Sequence, residues 1–62
     1  MKAETSHKRF AGLIEELQTE IKSAMTHQER GEWGAVADTM QSASTTCKRM
    51  ASTAEKLAQG GS

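Results

Sequence analysis

The stretch HQERGEWGAV, residues 27–36, decides how the chain folds. It sets two of five glycines on either side of the only tryptophan, in a sequence without proline. Gly31 is where a helix should stop, because the residue past a helix end often takes a left-handed conformation that costs glycine little. Glu32 then falls at the positive start of a second helix, where an anion is favoured. Trp33 opens the apolar stripe of that helix and is expected to fold back over Met25 and Gln28, sealing the bend. Gly34 has no assigned reason from sequence; its missing side chain would admit close approach of a neighbouring backbone or of the indole, against a helix-propensity cost of about 1 kcal/mol. So short a connection demands antiparallel neighbours.

Outward from this corner the apolar residues keep helical time. On the amino-terminal side Phe10, Ile14, Leu17, Ile21 and Ala24 recur at steps of four and three, with Leu13 and Met25 widening the stripe. On the other side Trp33, Val36, Met40, Ala43, Cys47, Met50, Ala54 and Leu57 alternate by three and four. Such spacing predicts amphipathic helices with the 3.5-residue repeat of a coiled-coil seam. The period of two that strands need is missing. The expected fold is a single all-α domain, an antiparallel two-helix hairpin. Its first helix covers about 3–30, its corner 31–32, its second helix about 33–58, and its frayed tail 59–62.

The words RGEWGAV, residues 30–36, resemble the corner of tetratricopeptide-type hairpins and of small flagellar export chaperones, where a glycine, an acidic residue and an aromatic precede a small-residue helix. The resemblance spans about seven residues and implies a helix–helix corner, not a function. In length and seam the chain is also similar to plasmid-copy-number RNA-binding hairpins, which dimerise; that likeness is one of architecture.

Folding at 31–32 sets positions summing to about 64 opposite one another: Phe10 with Ala54, Leu17 with Cys47, Ile21 with Ala43, Ala24 with Met40. Large faces small in each layer, as interdigitating helices require. Two further sets repeat every seven residues on the second helix: Ala37, Ser44, Ala51 and Ala58 on one flank, Thr39, Thr46 and Thr53 on the other. Serine and threonine are mediocre helix formers, so this helix depends on being packed. A two-helix layer leaves its seam half wet, and single cores of this size are marginal. A homodimer is therefore expected, two hairpins closing into a four-helix bundle. Charge agrees. Residues 1–14 and 48–62 carry six basic and two acidic side chains, net +4, whereas residues 15–47 carry two basic and six acidic, net −4; a cut at 17/18 and 46/47 gives +2 and −2, with the same sign. Such rods favour a head-to-tail arrangement.

Composition narrows function. The chain has 62 residues and a formal net charge of zero, which weighs against a nucleic-acid binder living on bulk charge. Its lone Cys47 excludes an internal disulfide and is read as a small buried seam residue. No apolar run is long enough for a membrane span, and MKAETSHKRF lacks a secretory apolar segment, so a cytoplasmic location is expected. His7, His27 and Cys47 fail the spacing of a zinc site, and both histidines are read as solvated. Glu16 and Glu20, one turn apart, are read as a wet helix face. No catalytic residue, metal or cofactor is expected. The anticipated role is a non-enzymatic protein-interaction module: an adaptor, chaperone or regulator that binds another protein. The alternative is a nucleic-acid-binding dimer gripping phosphates through Lys8, Arg9, Lys48 and Arg49. The seam assigned to core and dimer comprises Phe10, Leu13, Ile14, Leu17, Ile21, Met25, Trp33, Val36, Met40, Cys47, Met50 and Leu57.

Overall fold

The computed structural model describes residues 2–60, with side chains from residue 5 onward. It is all-helical. Helix α1 spans Lys2–Glu29 and α2 spans Trp33–Gly60. At 1.5 Å per residue, 28 residues make a rod of about 42 Å, and the whole body measures 44 × 14 × 10 Å, so the two rods lie side by side. Helix α2 runs two residues past the expected end, through Gln59 and Gly60; Gly61 and Ser62 of the expected tail lie outside the described residues.

The corner is a helix stop of the Schellman type. Gly31 has φ +72°. Its amide donates to the Gln28 carbonyl at 3.0 Å, and the Glu32 amide donates to the His27 carbonyl at 2.9 Å. These two bonds satisfy carbonyls that the end of α1 would otherwise leave open. The Glu32 carbonyl then accepts the first bond of α2, from the Val36 amide at 3.0 Å. A hydrophobic contact often ties the two ends of this motif together. Here a side-chain clasp does so: His27 Nδ1–H donates to Glu32 Oε1 at 2.7 Å. His27 is thus half-buried and paired, not a solvated histidine. Trp33 is 63% exposed, so the indole does not seal the bend.

The glycines separate sharply. An alanine at Gly31 meets no neighbour but must adopt the left-handed conformation, so Gly31→Ala should cost about 1–2 kcal/mol. A Cβ on Gly34 meets nothing within 4 Å, which removes close approach as the reason for that glycine. Nothing in the structure explains it. Gly12 is equally open in mid-helix, and Gly12→Ala should raise stability by about 1 kcal/mol. Urea titration at one protein concentration reads both signs.

The seam between the helices is only partly the expected one. On α1 the inward positions are Phe10, Leu13, Leu17 and Ala24, interspersed with Ser6, Glu20 and His27. On α2 they are Val36, Ala43, Met50 and Leu57, interspersed with Thr39, Thr46 and Thr53. Both sets alternate by three and four, and their positions pair at a sum of 63, which places Phe10 level with Thr53 and Leu17 with Thr46. The threonine stripe read as a flank is therefore half of the seam. Met40, Cys47 and Ala54, expected there, are exposed, and so is Ile21. Their four anticipated layers give way to layers shared with threonine and alanine.

Threonine can serve here because its hydroxyl is satisfied locally. Thr39, Thr46 and Thr53 each donate to the carbonyl four residues back, at 2.9, 3.2 and 2.9 Å. The bond offsets the cost of burying a hydroxyl and leaves the methyl for packing. Thr46 and Thr53 are accordingly among the most buried residues, with Leu13, Ala24 and Ala43.

Glu20 is less well served. It faces inward, and its Oε1 is shielded from water without a hydrogen-bond partner; the wet-face reading holds for exposed Glu16 alone. An unmade bond at a buried acceptor costs about 1–3 kcal/mol. Glu20→Leu should therefore raise the urea midpoint, by about 1–2 kcal/mol in stability for this half-buried position. An unchanged or lowered midpoint would show that the carboxylate is adequately solvated.

Candidate functional site

The seam geometry decides what the hairpin shows to its surroundings. Each residue advances about 100° around its helix. Ile14 and Ile21 lie four residues beyond the seam positions Phe10 and Leu17, on one flank of α1. Met40, Cys47 and Ala54 lie four beyond Val36, Ala43 and Met50, on the corresponding flank of α2. Because the helices are antiparallel, the same rotational offset puts both flanks on one side of the plane through their axes. Met25 and Ala11 extend the first flank, Trp33 begins the second, and Ala37, Ser44, Ala51 and Ala58 border it.

This broad face is apolar and open. Ile21 is 44% exposed, Met25 54% and Met40 41%. Ile14 alone is half-covered. Between residues 7 and 58 the face holds no Lys, Arg, Asp or Glu: its only other polar members are His7, Gln18, Gln28, Ser44 and the Cys47 thiol. Cys47 is exposed here, not buried in the hairpin seam. A long hydrophobic face without charge is not what water-facing helices carry, and patches of this kind mark interaction surfaces.

Of the expected dimer and core residues, Phe10, Leu13, Leu17, Val36, Met50 and Leu57 line the intrachain seam. Ile14, Ile21, Met25, Trp33, Met40 and Cys47 are gathered on the open face. The sequence stripe thus splits into two surfaces.

The opposite side is basic and polar. Arg9, Arg49 and Lys56 come together around a shallow groove floored by Leu13 and Thr53 and edged by Ser52. None of the three cations makes an ion pair among the described residues; His27 with Glu32 is the one pair found there. Of the expected phosphate contacts, Arg9 and Arg49 are united in this groove. Lys8 and Lys48 point along the outer backs of their helices, away from it. Lys56 was missed by the sequence reading, although it lies one heptad after Arg49 on the same flank. Among the described residues no group of three His, Cys, Asp or Glu side chains is close enough to hold a metal ion. Nor is any described helix long and apolar enough to cross a membrane.

Compared with known proteins, the chain matches no family model, no curated protein and no solved structure.

Proposed function

We propose that the protein is a small non-enzymatic interaction module, a cytoplasmic helical hairpin that pairs with a second copy into a four-helix bundle and serves another protein as adaptor, chaperone or regulator. One observation carries this reading. Beside Phe10, Leu13, Leu17, Val36, Met50 and Leu57, the seam takes Glu20 and His27 from α1 and Thr39, Thr46 and Thr53 from α2, while Ile21, Met25, Trp33 and Met40 lie on a common outer face. A hairpin stabilised only by its own seam gains more by the reverse rotation, because a buried Ile or Met contributes about 1.5–3 kcal/mol. The observed rotation gains when a second apolar layer covers the face. The outward backs of the helices remain free for a further partner.

The test is subunit exchange between copies carrying different tags. Wild-type copies should co-purify with one another, and a Met40→Lys copy should be left behind. Failure of the wild-type pair to co-purify at tens of micromolar would remove the reading.

A second reading rests on the groove of Arg9, Arg49 and Lys56: a hairpin dimer holding nucleic-acid phosphates. Three cations per copy, without an ion pair among the described residues, supply a sequence-independent attraction that weakens steeply with salt. Protein purified at low salt and carrying nucleic-acid absorbance, lost in Arg9→Gln/Arg49→Gln, would favour it over the first.

A further inference from the structure

The open face is unevenly filled along its length, and this unevenness specifies how a second copy lies on it. Its bulky residues Ile21, Met25, Trp33 and Met40 sit in the corner half, with Ile14 just beyond its edge on α1; the rest of the free-end half offers Ala11, Ala51, Ala54 and Ala58. Laid corner to corner, two copies would crowd at one end and gape at the other. Laid corner to free end, Met25, Trp33 and Met40 meet small residues, and Ile21 meets Ile14 near the middle.

We infer that two copies associate face to face with the corner of each against the free ends of the other, Trp33 packing on Ala58 and Met40 on Ala51 of the second copy, about a two-fold axis that passes between Ser44 and Cys47. This arrangement rests on the dimer proposed above and specifies its topology. Full overlap of two 44 Å rods sets α2 against α2 of the second copy so that facing positions sum to 91. Trp33 then pairs with Ala58, Ala37 with Ala54, Met40 with Ala51, and Ser44 with Cys47. Large meets small or small meets small along α2, as interdigitation at native density requires; along α1, where facing positions sum to about 35, Met25 meets Ala11 and Ile14 meets Ile21.

Charge selects the same orientation. Residues 1–14 and 48–62 carry net +4 and residues 15–47 net −4, and a cut at 17/18 and 46/47 keeps the sign at +2 and −2, so the antiparallel lie sets unlike ends together and the parallel lie sets like ends together. The absence of charge on the face itself means that this attraction works around the contact without burying an ion. The flat footprint, 44 Å by 14 Å, is about 600 Å² per copy. Both copies together then bury about 1,200 Å², the lower bound of stable specific interfaces.

Distances between spin labels test the topology on the full chain. With Cys47→Ser as background, labels are placed at Thr45→Cys near the middle and Gln59→Cys at the free end, both off the face. The expected result is a separation on the order of 20–30 Å for the first, the breadth of two helix layers, and one near the 44 Å rod length for the second. A short distance at both sites means a parallel dimer and overturns the topology while keeping the dimer. No dipolar coupling at either site means no dimer and overturns both.

A swap reads the register. Met40→Ala and Ala51→Met should each weaken association about tenfold or more, and the double variant should recover most of it. A double variant as weak as the worse single one overturns the pairing of Met40 with Ala51.

Discussion

Leu13→Ala should unfold the hairpin, or bring it to the edge of unfolding. Leu13 is 4% exposed, the most buried of the large apolar side chains. Truncating such a leucine costs about 2–5 kcal/mol, the lost transfer energy plus the cavity left behind. A core of this size rarely supplies more than about 3–5 kcal/mol in total. Far-ultraviolet circular dichroism against temperature should show the cooperative transition shifted strongly downward or gone. Thr46→Val is the informative companion. It keeps the shape of a residue that is 2% exposed and exchanges a hydroxyl bonded to its own helix for a methyl. Its transition should hold or rise, which distinguishes a packing position from one that needs the hydroxyl.

Met40→Lys should abolish self-association and spare the hairpin's own seam. Met40 lies on the charge-free face and outside the intrachain seam. By two-fold symmetry a lysine there enters the contact twice, and an ammonium in an apolar interface either loses hydration or holds the surfaces apart. Dimer affinity should fall at least about a hundredfold, equivalent to roughly 2.7 kcal/mol. The melting transition of the variant should then no longer depend on protein concentration, whereas that of the wild type should. A Met40→Lys protein that still sediments as the wild type does would show that this face is not the interface.

The corner was legible from seven letters because its chemistry is local. Gly31 is the residue that takes φ +72° freely, and the bonds from Gly31 and Glu32 back into α1 follow from that one conformation. Helix type and approximate extent were equally plain, since the spacing of apolar residues at three and four admits one secondary structure. The clasp of His27 with Glu32 was not read, although the two residues stand five apart across the stop that had been recognised.

What the sequence concealed was the rotation of each helix about its axis. On α2 the set Val36, Ala43, Met50 and Leu57 can be joined on one side to Trp33, Met40, Cys47 and Ala54, or on the other to Thr39, Thr46 and Thr53. Both unions keep the 3.5-residue rhythm. Hydropathy favours the first, and the hairpin uses the second, because a threonine whose hydroxyl bonds its own helix behaves as a small apolar residue. On α1 the same ambiguity let Ile21 stand where Glu20 does. The apolar stripe read as one seam is two surfaces, one spent within the chain and one left open. Periodicity alone cannot divide them.

Everything proposed for this hairpin requires that a second copy of the chain cover its open face. Sedimentation equilibrium of the wild-type protein across a concentration series through tens of micromolar tests it most directly. The mass should rise to twice the 6.7 kDa of one chain, with helical content intact at the dimer plateau. A fully helical species that stays at 6.7 kDa throughout the series would contradict it.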